Sequence, residues 1–151
     1  KKYGVEAVEQ CLPDWDVDGA VFLKSKVSGI QLMLDESIHT VKDAARVCKA
    51  NAADILNIKL MKCGGLYRGG QISTIAENFG MTCMVGCMLE SKVAITAGLS
   101  LVASRRNITE ADCDSFMYYK DADTGMPGGF EQNGDMFRLL EKPGLGLDIS
   151  F

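Results

Sequence analysis

ADILNIKLMKCGG, residues 53–65, is the run on which the architecture turns. It is mostly apolar, as strands packed between two other layers are. One residue breaks the pattern. On a two-residue period Lys59 shares a face with Ile55 and Asn57, while Leu56, Ile58 and Leu60 share the other. An inner-face lysine either carries its ammonium past the strand end to solvent or has chemistry to perform there.

ADILNIKLM (53–61) reads as a strand, and similar runs recur on both sides. YGVEAVEQ (3–10), IQLMLDES (30–37), MTCMVGCM (81–88) and ITEADCDSF (108–116) also read as strands. Helical patterns separate them, at 14–27, 41–52, 69–80 and 90–106. The second helix has a start signal in Thr40, with Asp43 three residues on. The third stops at Gly80 and puts Ile72, Ile75 and Phe79 on one face. Strands apolar on both faces and divided by helices predict an α/β fold with a parallel sheet. A polar mark stands near the end of each strand: Glu9, Asp35, Lys59, the Gly86–Cys87 turn, then Asp112 and Asp114. The marks recur at steps of about 26 residues, the rhythm of a TIM-type (β/α) barrel with its chemistry at the strands' carboxyl ends. A doubly wound sheet usually carries G-x-G-x-x-G at its first turn, and the sequence has none. Five βα units do not close a barrel, so about three more are expected upstream or in a companion chain. Beyond Ser115 the turn-rich TGMPGGF, QNGD and KPGLGLDISF predict short antiparallel strands outside the barrel.

Composition narrows the function classes. The chain has 151 residues, 47% of them hydrophobic, enough for one core. A net charge of -4 offers no basic patch and argues against nucleic acid. No apolar run approaches the roughly 20 residues of a membrane span, and no signal-peptide pattern opens the chain. A cytoplasmic protein is expected, and the absent initiator Met suggests a piece of something longer. The six cysteines are scattered without a C-x-x-C pair, and His39 is the sole histidine. Reduced, mostly buried thiols are expected rather than a zinc site.

The parity that turns Lys59 inward does the same for the other marks. Glu9 goes with Val5 and Ala7, Asp35 with Gln31 and Met33, and Asp112 with Asp114 opposite Cys113. Together they would surround one cavity at the barrel mouth. Two carboxylates from neighbouring strands suit Mg²⁺. A lysine beside the ion, its pKa lowered by burial and by the cation, would act as a base toward a carbon next to a carboxylate held by the metal. Plainer readings exist for each residue. Glu9 and Asp35 suit helix caps or surface charges, and Asp112 and Asp114 suit turns. His39 reads as a loop residue, Trp15 as a packing anchor and Glu90 as a first-turn helix charge.

VEQCLP, LDES, NIKLMKCGG, GCMLES, ADCDSF and KPGLGL, in that order, resemble the C-terminal part of the enolase superfamily, muconate-lactonising subgroup, and within it the dipeptide epimerases, such as L-Ala-D/L-Glu epimerase. The resemblance covers almost the whole chain. It implies a modified (β/α)7β barrel, with residues 1–118 carrying strands four to eight and 119–151 packing outside the barrel or on a capping domain. It implies Glu9 and Asp35 as Mg²⁺ ligands and Lys59 as one of two acid/base lysines on opposite faces of the substrate α-carbon. Asp112 and Asp114 would bind the α-ammonium group of a dipeptide. The implied activity is α-proton abstraction and return through an enediolate. O-succinylbenzoate synthase, N-acylamino acid racemase and muconate cycloisomerase are the alternatives within the superfamily. Missing from the chain are a K-x-K on the second strand, an Asp ligand on the third and the capping domain. The 151 residues alone are therefore expected to be inactive, or to serve as a non-catalytic fragment. A homo-oligomer is expected by analogy.

Overall fold

The computed structural model describes residues 2–119 and 126–149. Strands Ala7–Glu9 (β1), Gln31–Leu34 (β2), Ile55–Lys59 (β3), Thr82–Gly86 (β4) and Ile108–Asp112 (β5) lie side by side in chain order, all parallel. A doubly wound sheet reverses its strand order at a switch point. The unbroken order here is that of a barrel wall. β1 and β5 form its two edges.

Helices Val17–Lys26 (α1), Val41–Ala50 (α2), Leu66–Asn78 (α4) and Lys92–Ser104 (α5) join successive strands, and a single turn, Leu60–Cys63 (α3), follows β3. The outward-facing Leu32, Leu34, Leu56, Ile58, Cys83 and Val85 are buried with Val47, Ile72 and Ile95 of the helices. This apolar layer between sheet and helices is the core. The Thr40–Asp43 capping box is formed in both directions. Asp16 caps α1 by accepting from the Gly19 N–H at 2.8 Å. At the strands' amino ends Lys24 pairs with Asp54 at 3.0 Å, and Asp54 accepts from the Leu32 N–H at 2.9 Å.

Several expectations are corrected. α4 starts at Leu66, not Gly69, because Gly69 and Gly70 lie inside it as contact points. A Cβ on Gly69 would come within 2.9 Å of Leu101 Cδ2 and 3.2 Å of Leu60 Cδ2. The buried face of α4 is built from Gly69, Gly70, Ile72, Ser73 and Ala76. Phe79 caps the helix beyond that face and is exposed, while Gly80 takes the left-handed φ of 71°. Trp15 is 72% exposed and anchors nothing. Glu90 is buried and precedes the Ser91 N-cap of α5, accepting from the Met88 N–H at 3.3 Å. The strand after residue 53 ends at Lys59, since Leu60 and Met61 already belong to α3.

Phe130–Asn133 (β6) and Met136–Leu139 (β7) pair as an antiparallel hairpin separate from the barrel wall. Phe116, in the 3-10 turn Ser115–Tyr118, meets Phe130 and Phe137 edge-to-face at 5.1 and 6.3 Å. No helix among the described residues is long and apolar enough to cross a membrane.

All six cysteines are free thiols, and four are buried. Burial pushes Cys83 and Cys113 up to about 12 and Cys48 up to about 11. A raised pKa leaves less of the reactive thiolate at pH 8. Iodoacetamide is therefore expected to modify exposed Cys11 first in the native protein and to spare Cys48, Cys83 and Cys113 until denaturant is added. Peptide mass mapping of the alkylated protein reads this order.

Candidate functional site

Four of the five strands deliver a polar residue to the same rim, each ending where its apolar alternation stops, and β4 ends at Gly86. Glu9 closes β1, Asp35 follows β2, Lys59 closes β3 and Asp112 closes β5. Backbone register sets Lys59 level with Gly86, and Gly86 level with Asp112. Asp114 lies two residues on, capping the 3-10 turn, with buried Cys113 turned to the opposite side.

Asp35 is the centre of the arrangement. It is only 4% exposed. The Lys59 ammonium contacts its Oδ2 at 2.7 Å, and Lys62 pairs with its Oδ1. Lys62 also donates to the Asp35 backbone oxygen at 2.6 Å and reaches the Asn57 carbonyl at 3.4 Å. Burying a carboxylate is tolerable only with this degree of compensation.

Gln10 fixes the loop that carries Asp35. Its Oε1 accepts from the backbone N–H of Asp35 at 2.9 Å and of Ser37 at 3.2 Å. Its Nε2 donates to the Leu12 carbonyl at 2.9 Å and to Ser37 Oγ at 3.0 Å. Gln10 adopts a φ of 39°, unfavourable for a residue with a side chain. Strain of this kind persists where the surroundings over-determine it, and here the amide bridges the exits of two strands.

The charges pull the two lysines apart. Burial lowers the Lys59 pKa, but the hydrogen bond and charge of Asp35, helped by Glu9 and Glu36, outweigh it, so the amine stays above the usual lysine range. The Asp35 carboxylate thus favours the protonated form of Lys59. Lys62 lies deeper. There burial outweighs Asp35, Lys59 adds repulsion, and its pKa falls below the usual range.

Glu9 is exposed and accepts at Oε1 from Asn57 Nδ2 at 2.7 Å. Among the described residues no group of three or more His, Cys, Asp or Glu side chains could hold a metal ion. The donor chemistry of Glu9 and Asp35 nevertheless fits Mg²⁺, which binds through one or two carboxylates and leaves other positions to water and substrate oxygens. Asp35 Oδ2 already holds a cationic group, the Lys59 ammonium.

Thus the structure joins Asp35 to Lys59 directly and places Glu9, Asp112 and Asp114 on the same rim. Sequence reasoning missed Gln10, Asn57 and Lys62. Asn57 shares the parity of Lys59 and carried a usable signal. Lys62 did not, because strand parity ends at Lys59 and the turn of α3 brings residue 62 back beneath Asp35.

Residues 1–150 match the family described as enolase C-terminal domain-like. The L-Ala-D/L-Glu epimerase of Clostridium acetobutylicum is 41% identical over 144 residues, which is 95% of this chain and 39% of that protein. The substrate-liganded L-Ala-D/L-Glu epimerase of Bacillus subtilis superposes with a TM-score of 0.92 at 38% identity, covering 97% of this chain and 40% of that one. The dipeptide epimerase of Enterococcus faecalis V583, complexed with Mg and the dipeptide L-Leu-L-Tyr, gives 0.89 at 36% identity, covering 97% and 41%. The chain therefore spans about two fifths of the length of the curated relatives it matches.

Proposed function

The chain belongs to the enolase C-terminal domain-like family, and from that footing we propose that the full-length protein is a dipeptide epimerase. The observation that carries the proposal is the Lys59–Asp35 contact of 2.7 Å at the carboxyl ends of neighbouring parallel strands. It sets an amine beside the carboxylate best placed to hold a cation. Glu9 and Asp35 would be the ligands this chain supplies to Mg²⁺, which when bound would offset the negative charge developing on the substrate carboxylate as its α-proton leaves. Lys59 takes or returns the α-proton on one face of the substrate. A second lysine, from the part of the full-length protein outside this chain, serves the other face. Lys62 and Gln10 keep Asp35 in place while the proton moves.

Asp112 and Asp114 give the substrate class. Both are exposed at the rim, and a pair of carboxylates complements a free α-ammonium group while repelling a dicarboxylate. Replacing both by Asn in the full-length protein is expected to lower kcat/KM for an unblocked dipeptide about 10- to 100-fold, the loss of a charge-assisted hydrogen bond or two. Turnover of the N-acylated dipeptide should hold or rise. Racemisation assays on the two substrates side by side test this. Undiminished turnover of the unblocked dipeptide rejects the substrate class.

A further inference from the structure

Asn57 is an expensive residue for its position. It lies on the inner face of β3 and is 1% exposed. Its Nδ2 donates to Glu9 Oε1 at 2.7 Å. Its Oδ1 has no hydrogen-bond partner, the only buried side-chain nitrogen or oxygen among the described residues so left. Unpaired buried polar atoms cost folding free energy and persist mainly where function requires them.

The neighbouring strand makes room for this amide. Gly86 is buried and stands level with Lys59 in register. A Cβ on Gly86 would lie 2.7 Å from Asn57 Oδ1, 3.1 Å from Asn57 Nδ2 and 3.0 Å from Lys59 Cε. Those separations are too short to be borne, so a side chain at residue 86 would displace the amide or the lysine stem. Glu9 needs such support. β1 is three residues long, Glu9 is exposed at its end, and the chain then turns through the left-handed Gln10. Among the described residues Asn57 is the one side chain that hydrogen-bonds the Glu9 carboxylate.

We infer that Asn57 is a positioning residue that presets the Glu9 carboxylate for cation binding, seated in the space that Gly86 leaves open. The inference rests on the reading of Glu9 and Asp35 as cation ligands. It assigns the unpaired Oδ1 a meaning: an amide is retained where an apolar residue of the same size would pack more favourably, because its other end orients a ligand.

The test is calorimetric titration of the metal-free full-length protein with MgCl₂, together with its thermal melting. Asn57→Leu keeps the number and branching of the side-chain heavy atoms and removes both amide groups. Its Mg²⁺ dissociation constant is expected to rise about 10-fold or more, the usual effect of losing a residue that orients a metal ligand. Its Tm without metal is expected to match or exceed that of the unaltered protein. A purely structural Asn57 would give the reverse pattern, with a lower Tm and unchanged Mg²⁺ affinity, and that result overturns the assignment. Gly86→Ala is the second variant and should weaken Mg²⁺ binding in the same direction. Affinities within twofold of the unaltered protein in both variants also overturn it. Asp35→Asn separates the two levels. If it retains Mg²⁺ binding, the ligand reading itself is wrong. If it alone loses binding, only the role of Asn57 is.

Discussion

Lys59→Ala in the full-length protein is expected to reduce interconversion of the two dipeptide epimers by about 10²- to 10⁴-fold, the usual contribution of a positioned acid or base. The residue closes β3 and reaches the buried Asp35 carboxylate across to the neighbouring strand. A methyl group cannot carry a proton. Exchange of the substrate α-proton in D₂O, followed by NMR from each epimer separately, reads the chemistry itself. Loss of exchange from one epimer identifies the face that Lys59 serves. Undiminished exchange from both removes Lys59 from the mechanism. Stability should fall less than on loss of Asp35, because Lys62 still pairs with the carboxylate after the substitution.

Asp35→Asn is the substitution with the largest expected effect on the fold. It leaves two ammonium groups facing one another with their shared counter-ion gone, and Lys62 already feels Lys59 as a repelling charge. Removing one partner from a buried ionic arrangement costs about 3–5 kcal/mol. Urea unfolding at pH 7 measures it. The deficit should shrink as pH rises. Without Asp35 the raising influence on both lysines is lost, so their folded-state pKa values move down. A lysine whose folded pKa lies below its unfolded value leaves the unfolded state binding more protons between the two, and stability then climbs with pH across that window. A variant as stable as the original at neutral pH would show that Asp35 is not the electrostatic keystone of the rim.

The barrel wall was legible because its code is local. Five apolar runs, four of them ending in a charged residue, specify parallel strands almost without regard to the rest of the molecule. The two-residue period that turned Lys59 inward also turned Glu9 and Asp35 to the same rim. What escaped the sequence was tertiary. The role of Lys62 depends on α3 following β3 at once, which a continuous strand reading of residues 53–61 conceals. Gln10 draws its meaning from hydrogen bonds to residues 25 and 27 positions away. Gly69 looked like a helix boundary because glycine disfavours helix interiors, yet close contact with Leu101 and Leu60 overrode that preference. Trp15 followed the average behaviour of its residue type, and the structure leaves it in water.

The strand order has an evolutionary corollary. Asp35 and Lys59 belong to β2 and β3, whereas Asp112 and Asp114 come from β5 and the turn beyond it, with β4 between. On the proposed reading, recognition and reactivity would therefore sit on separately mutable modules. Drift at the outer module would then recruit a new substrate group while the proposed proton-handling residues stay untouched.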